Sequence, residues 1–160
     1  MKTVLKSMWV LAGISALTVG MLAHASEADD ALKRAKKIDH LRGSAMSLMG
    51  WNVGPMVAVI KDQAPYDPAL FRRQAPRITA LAGMVDELFK EDLRAFDLKT
   101  EAKPAIWDDK AEFSRLARQL VDSGVNLEAV ASGEDEAATR KAFISVLDSC
   151  KACHEKFKED

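Results

Sequence analysis

Apolar residues recur at steps of three and four along most of the chain, which is the spacing of one face of an α-helix. Four such stretches can be traced, over residues 32–60, 78–89, 106–130 and 138–157. The remaining positions in each stretch are mostly charged or polar, so each predicted helix carries one apolar stripe that must be buried. The pattern therefore predicts four amphipathic helices.

Proline and capping residues predict where these helices begin and break. Pro55 cannot donate a hydrogen bond to the carbonyl of Trp51, so we expect the first helix to be kinked or interrupted there. Asp67 and Pro68 form a cap and first-turn pair that predicts the start of the second helix. Pro76 makes the first turns of that helix less certain.

The spacing between the stretches predicts the fold class. Residues 91–104 have no helical period and predict a long connection, and Ser132-Gly133 predicts the end of the third helix. Trp51 and Trp107 are expected to be packing residues. Four helices in one chain of this length indicate an all-α protein, an antiparallel up-and-down four-helix bundle.

The first 25 residues have the features of a secretory signal peptide. Two lysines precede an apolar run over residues 8–22, and Ala23-His24-Ala25 is a small-x-small cleavage site. This run of 15 residues is shorter than the roughly 20 that a membrane-spanning helix needs. We therefore predict a cleaved leader over residues 1–25, a mature domain over residues 26–160 with no membrane anchor, and a periplasmic location.

Charge and motifs exclude several functions. Without its leader the chain keeps 21 basic and 24 acidic residues, a net charge of −3, which gives no electrostatic basis for binding nucleic acid. The sequence contains no recognisable nucleophile–base pair and no phosphate-binding loop, so we do not predict an enzyme.

The most specific motif is Cys150-Lys151-Ala152-Cys153-His154, which fits the C-x-x-C-H pattern of covalent haem attachment. Residues i and i+3 of a helix are surface neighbours, with Cβ atoms about 5–6 Å apart. Two thiols so placed can bond to one edge of a porphyrin, and the following imidazole can reach the iron as the proximal ligand.

Three other interpretations compete for the two cysteines. A disulfide could persist in an oxidising compartment, but it leaves His154 unexplained. A zinc site needs four ligands, so the distant His40 or a carboxylate would have to complete it. A thioredoxin-like redox pair is expected beside a βαβ pattern, which is not visible here.

A ligand on the opposite haem face would have to come from upstream, because the few residues after His154 cannot fold back to the iron. In an up-and-down bundle the end of the fourth helix lies beside the early part of the first. That placement indicates His40, Met46 and Met49 as candidates, with Met56 further along the helix.

Three segments in this order resemble the class II c-type cytochromes, and most closely the cytochrome c′ family. They are residues 150–158, residues 100–107, and the first helix with Arg42, Met46 and Met49. The resemblance covers essentially the whole mature sequence. It implies one haem c per chain, held covalently by Cys150 and Cys153 with His154 as the proximal iron ligand.

The resemblance also implies a second set of haem contacts. Met46 is expected over the distal haem face and Gly43 where the haem edge approaches the backbone. Arg42 is expected near the haem propionates, although it could equally stay in water at the surface. Thr100 and Glu101 are expected at the haem periphery, whereas Lys158 replaces an arginine that is common in the family.

The resemblance implies a five-coordinate haem that binds NO or CO and exchanges single electrons with redox partner proteins. It also implies a homodimer formed through the first two helices. One alternative is a six-coordinate, low-spin electron carrier with Met46 or Met49 on the iron. The other is a haem-free helical interaction module with a Cys150–Cys153 disulfide.

Overall fold

The computed structural model describes residues 26–159 in full and, for residues 4–25, the helical backbone alone. In chain order the helices are α1 (Val4–Ile60), α2 (Pro68–Leu88), α3 (Ala105–Asp108), α4 (Lys110–Ala131) and α5 (Glu136–Phe157). The chain divides into two compact units, residues 1–37 and residues 38–160. The predicted leader, residues 1–25, lies outside the fully described residues. None of the described helices is long and apolar enough to cross a membrane.

Within the unit that begins at residue 38, α1, α2, α4 and α5 form an antiparallel four-helix bundle. The side chain of Arg42, on α1, bonds to the carbonyl of Leu88 at the end of α2. The last turn of α1 meets the first turn of α5, where Arg140 donates to the carbonyl of Val59 over 2.8 Å. α4 packs against both α2 and α5. The predicted all-α bundle is therefore confirmed.

Of the kink or interruption predicted at Pro55 in the first helix, the interruption is wrong, and the kink stays a prediction. α1 continues through Pro55 to Ile60. Met49, Met56 and Val59 are all buried in one core cluster on either side of the proline. Packing of this face offsets the hydrogen bond that Pro55 removes. α2 likewise contains Pro76 and begins, as predicted, at the Asp67 cap.

The predicted third helix is split in two. α3 ends at Asp108, and Asp109 has φ −128° and ψ 56°, which are not helical angles. The carboxylate of Asp109 accepts a hydrogen bond from the backbone N–H of Glu112, so Asp109 is the N-cap of α4. The apolar period alone did not reveal this break. The long connection before α3 and the end of α4 at Ser132 are confirmed.

Two clusters of buried side chains fill the bundle. In the first, Phe71 and Phe143 pack edge to face with ring centroids 5.8 Å apart. In the second, the ring of Phe113 lies 5.3 Å from the rings of both Phe89 and Phe157. The second cluster adjoins the last turns of α5, where the cysteines lie.

Several large apolar side chains remain exposed on α1 and α2. Trp51 is 78% exposed, so the prediction that it is a packing residue is wrong within the described chain. Leu41 and Leu48 of α1 and Met84 of α2 are also about half exposed. These four residues form what we call the α1/α2 apolar surface.

Candidate functional site

The two cysteines occupy the last turns of α5. Both are half-buried free thiols. Burial raises the pKa of Cys150, and burial together with the nearby Cys150 raises the pKa of Cys153 to about 11. Ser149 fixes this part of α5 against α4, because its hydroxyl lies 3.0 Å from the hydroxyl of Ser123. The contact between Ser149 and Ser123 therefore holds the turn of α5 that carries Cys150 against α4.

A pocket of about 680 Å³ opens beside the cysteines. This volume lies within the range of about 300–1,000 Å³ typical of small-molecule and cofactor sites. Its walls come from α1, α2, α4, α5 and the segment before α3. All eight predicted site residues line it: Arg42, Gly43, Met46, Thr100, Glu101, Cys150, Cys153 and His154.

The α1 wall of the pocket combines glycines with methionines. A Cβ built on Gly43 or Gly50 would meet no atom within 4 Å outside its own stretch of helix. Both glycines line the pocket, so the open space in front of them belongs to it. Met46 and Met49 lie between them along the helix and line the same wall. A flat group could therefore approach the α1 backbone closely.

Part of the pocket lining is aromatic. Phe89 follows α2, Phe113 lies on α4 and Phe157 ends α5, and all three line the pocket. The sequence pattern placed these residues on apolar stripes but did not identify them as part of a site. Only the packing of three helices brings them together, so no local motif could have found them.

Arg42 is buried rather than at the surface, with an exposed fraction of 4%. Its Nε donates to the carbonyl of Leu88 over 2.8 Å, and its Nη2 donates to the carbonyl of Glu91 over 2.5 Å. Burial lowers the pKa of the guanidinium, while the charges of Asp39, Glu91 and Asp92 oppose that effect. Arg42 thus places a positive charge at the pocket wall, and the alternative that it stays in water is wrong.

The segment before α3 is tied to the residues that follow His154. The N–H of Lys103 donates to the carbonyl of Phe157 over 3.0 Å, and the N–H of Glu159 donates to the carbonyl of Glu101 over 2.8 Å. The side chains of Lys158 and Glu101 form an ion pair of 3.2 Å. This pairing holds one wall of the pocket against the end of α5, and sequence reasoning missed it.

The candidate ligand residues differ in their positions. His154 lines the pocket, and partial burial and the charge of Lys158 lower its pKa, which favours the neutral imidazole that binds metals. Glu101 opposes this shift of the pKa.

His40 is exposed and does not line the pocket, and Met56 is fully buried in the first core cluster. The structure therefore brings Met46 and Met49, but not His40 or Met56, into the same pocket as His154.

Comparison with known proteins identifies the family. A family model described as Cytochrome C' matches residues 22–158. The chain belongs to the cytochrome c′ family. It is 35% identical over 118 residues to cytochrome c′ of Alcaligenes xylosoxydans xylosoxydans, an alignment that covers 74% of this chain and 90% of the relative.

Solved structures of cytochrome c′ agree with this family. Cytochrome c prime from Shewanella frigidimarina has a TM-score of 0.74 and 31% identity, covering 79% of this chain and 97% of its own. Variants of cytochrome c prime from Alcaligenes xylosoxidans, one as a nitric oxide complex and one with bound carbon monoxide, have TM-scores of 0.70 and 32% identity. Each covers 79% of this chain and 97% of its own.

As a member of the cytochrome c′ family, the chain binds covalent haem c. The residues of the pocket fit this cofactor. Paired thiols and an imidazole line one wall, the glycines of α1 leave room for a flat ring, and a buried arginine supplies positive charge for carboxylates. Family membership thus favours the haem interpretation of Cys150 and Cys153 over the disulfide-linked, haem-free module.

Proposed function

We propose that the chain is a periplasmic cytochrome c′ whose haem iron has His154 as its single protein ligand, binds NO or CO, and exchanges single electrons with redox partner proteins. The observation that carries the proposal is one pocket that joins the C-x-x-C-H motif of α5 to the methionine wall of α1. We do not expect the protein to turn over an organic substrate.

Cys150 and Cys153 are the proposed covalent anchors of the haem, with His154 as the proximal ligand. Their half-buried positions at the pocket wall and their spacing on α5 support this assignment. The bound haem supplies an iron that changes its oxidation state and accepts a diatomic gas. The ion pair between Lys158 and Glu101 lies just beyond His154 and ties the end of α5 to the segment before α3.

The remaining predicted residues are proposed to hold the haem edge. Gly43 faces open space in the pocket, and Arg42 presents N–H groups beyond the two that it donates to backbone carbonyls. We assign Arg42 to the haem propionates, because a guanidinium can pair with a carboxylate through two bonds. Thr100 and Glu101 line the pocket at its periphery.

Met46 is proposed to cover the distal face without binding the iron. It lines the pocket and is only partly buried, so its flexible side chain can move aside for a small ligand. The Alcaligenes relatives whose structures hold nitric oxide or carbon monoxide support a gas-accessible iron in this family. The competing function is a six-coordinate electron carrier, which the thioethers of Met46 and Met49 make chemically possible.

An optical spectrum of the reduced, purified protein distinguishes these two functions. We expect a broad high-spin ferrous band that changes when CO or NO is added. Sharp low-spin bands that Met46→Leu abolishes would support the six-coordinate carrier instead. Met49→Leu tests the second pocket methionine, and Met56→Leu is the matched control because Met56 lies in the core outside the pocket.

The α1/α2 apolar surface supports the proposed homodimer. Trp51, Leu48 and Leu41 follow one another along α1, and Met84 lies on α2, the two helices through which the family resemblance implies dimerisation. Burial of such side chains against a second copy would remove apolar area from water. Sedimentation of the wild type should show a dimer. Trp51→Lys should dissociate to monomers more readily.

A further inference from the structure

Four side chains form a continuous stack beside the pocket. The guanidinium carbon of Arg42 lies 4.8 Å from the ring centre of Phe89 and 5.3 Å from that of Trp107. The guanidinium carbon of Arg94 lies 5.8 Å from the same Trp107 ring. Arg42 is therefore near two aromatic rings, and Trp107 is near two cations.

Arg94, at the outer end of this stack, is held by the carboxylates of two aspartates. Arg94 donates to both carboxylate oxygens of Asp92 and, over 2.6 Å, to a carboxylate oxygen of Asp108, which follows Trp107 directly. The two aspartates lie on the loop after α2 and on α3. Arg94 therefore joins this loop to α3 at the side of the indole.

The indole N–H of Trp107 gives a second observation. Its Nε1 is buried and has no hydrogen-bond partner among the described residues. A buried donor without an acceptor is unfavourable, so the indole is not held in place by a hydrogen bond of its own within the described chain. Trp107 does not line the pocket, but Arg42, which it contacts, does.

We propose that Trp107 is a positioning residue that holds the guanidinium of Arg42 at the pocket wall, so that its remaining N–H groups meet the haem carboxylates. This inference rests on the proposed function, which assigns Arg42 to the propionates. The bonds from Arg42 to Leu88 and Glu91 fix one edge of the guanidinium. The rings of Phe89 and Trp107 restrict the movement of its plane.

The reduction potential of the haem protein measures this effect. A positive charge near the haem favours the reduced state, so Arg42→Gln should lower the midpoint potential. Trp107→Leu keeps the charge of Arg42 but lets the guanidinium move towards water, so it should lower the midpoint potential by a smaller amount. Trp107→Phe keeps an aromatic face, though a weaker one for a cation, and should retain more of the wild-type potential than Trp107→Leu.

A double-mutant cycle separates positioning from a direct effect. If Trp107 acts through Arg42, Trp107→Leu should not change the potential further in the Arg42→Gln protein. Trp51→Leu is the matched control, because Trp51 is 78% exposed and does not line the pocket, and it should leave the potential unchanged.

Three results would overturn the inference, and they can be told apart. An equal shift on Trp107→Leu in both backgrounds, or no shift in the wild-type background, would show that Trp107 does not position Arg42. No shift on Arg42→Gln alone would instead remove the proposed contact between Arg42 and the haem carboxylates, and this inference with it.

Discussion

The hydroxyl oxygen of Thr79 on α2 lies 2.6 Å from the point that a Cβ on Gly124 of α4 would occupy, and the Thr79 Cα lies 3.3 Å from it. The same hydroxyl donates to the carbonyl of Ala75, which holds the Thr79 side chain in place. α2 and α4 therefore pack so closely that a Cβ at position 124 would force Thr79 to shift.

Gly124→Ala should lower the free energy of unfolding. Overpacking in a core costs about 1–3 kcal/mol, and the better helix propensity of alanine returns up to about 1 kcal/mol. We expect a net loss that urea denaturation will detect. Gly83→Ala is the matched control, because a Cβ there meets nothing within 4 Å, and it should be neutral or stabilising. A Gly124→Ala protein as stable as Gly83→Ala would contradict the close packing.

Arg140 joins the first turn of α5 to the last turn of α1. It donates to the carbonyl of Val59 over 2.8 Å and also forms ion pairs with Glu136 and Asp62. Hydrogen bonds to charged groups contribute about 1.5–3 kcal/mol when they are partly buried. Arg140→Gln should therefore lower the urea midpoint measurably.

The control for this prediction is Arg115→Gln. Arg115 makes an i,i+3 ion pair with Glu112 on an exposed helix face. Such pairs contribute about 0–1 kcal/mol, so this variant should unfold close to the wild type. Equal losses of stability in the two variants would show that the Arg140 contact between α1 and α5 contributes no more than an exposed ion pair.

Stability should fall in acid partly because of Asp86. Its carboxylate accepts hydrogen bonds from the hydroxyl of Ser114 over 2.6 Å and from the ammonium of Lys110 over 2.9 Å, and these bonds hold its pKa below the ordinary value. A depressed pKa in the folded state stabilises the protein above the unfolded pKa of about 4, and this contribution is lost as the pH falls through the folded value.

Asp86→Asn should therefore be less stable than the wild type at pH 7, and the difference should shrink as the pH is lowered towards 3. Urea midpoints at several pH values measure this change. Asp97→Asn is the control, because it removes an exposed carboxylate from the loop between α2 and α3. Its urea midpoint should match that of the wild type at each pH. A difference between Asp86→Asn and the wild type that does not change with pH would contradict the assignment.

Local sequence predicts the helices of this fold but not their breaks. The apolar period marks the faces of all four long helices, and Asp67 marks the start of α2. Pro55 does not interrupt α1, because packing of Met56 and Val59 outweighs a lost backbone bond. Asp109 breaks the third stretch through a side-chain cap, which hydrophobic periodicity does not register.

The sequence likewise predicts some residues of the candidate site and not others. Cys150, Cys153 and His154 form a motif within five residues, so the chain itself displays them. The stack of Arg42 on Trp107 and the pairing of Glu101 with Lys158 join residues more than 50 positions apart. Only the tertiary structure brings such groups together, so a single sequence without a family resemblance could not have predicted them.

The intact mass of the protein, purified from a host that attaches haem c, tests the central claim most directly. We predict a coloured protein whose mass exceeds that of its polypeptide by one haem, and a Cys150→Ser, Cys153→Ser variant that lacks this addition. A colourless wild-type protein with the mass of the unmodified polypeptide would contradict covalent attachment at these cysteines.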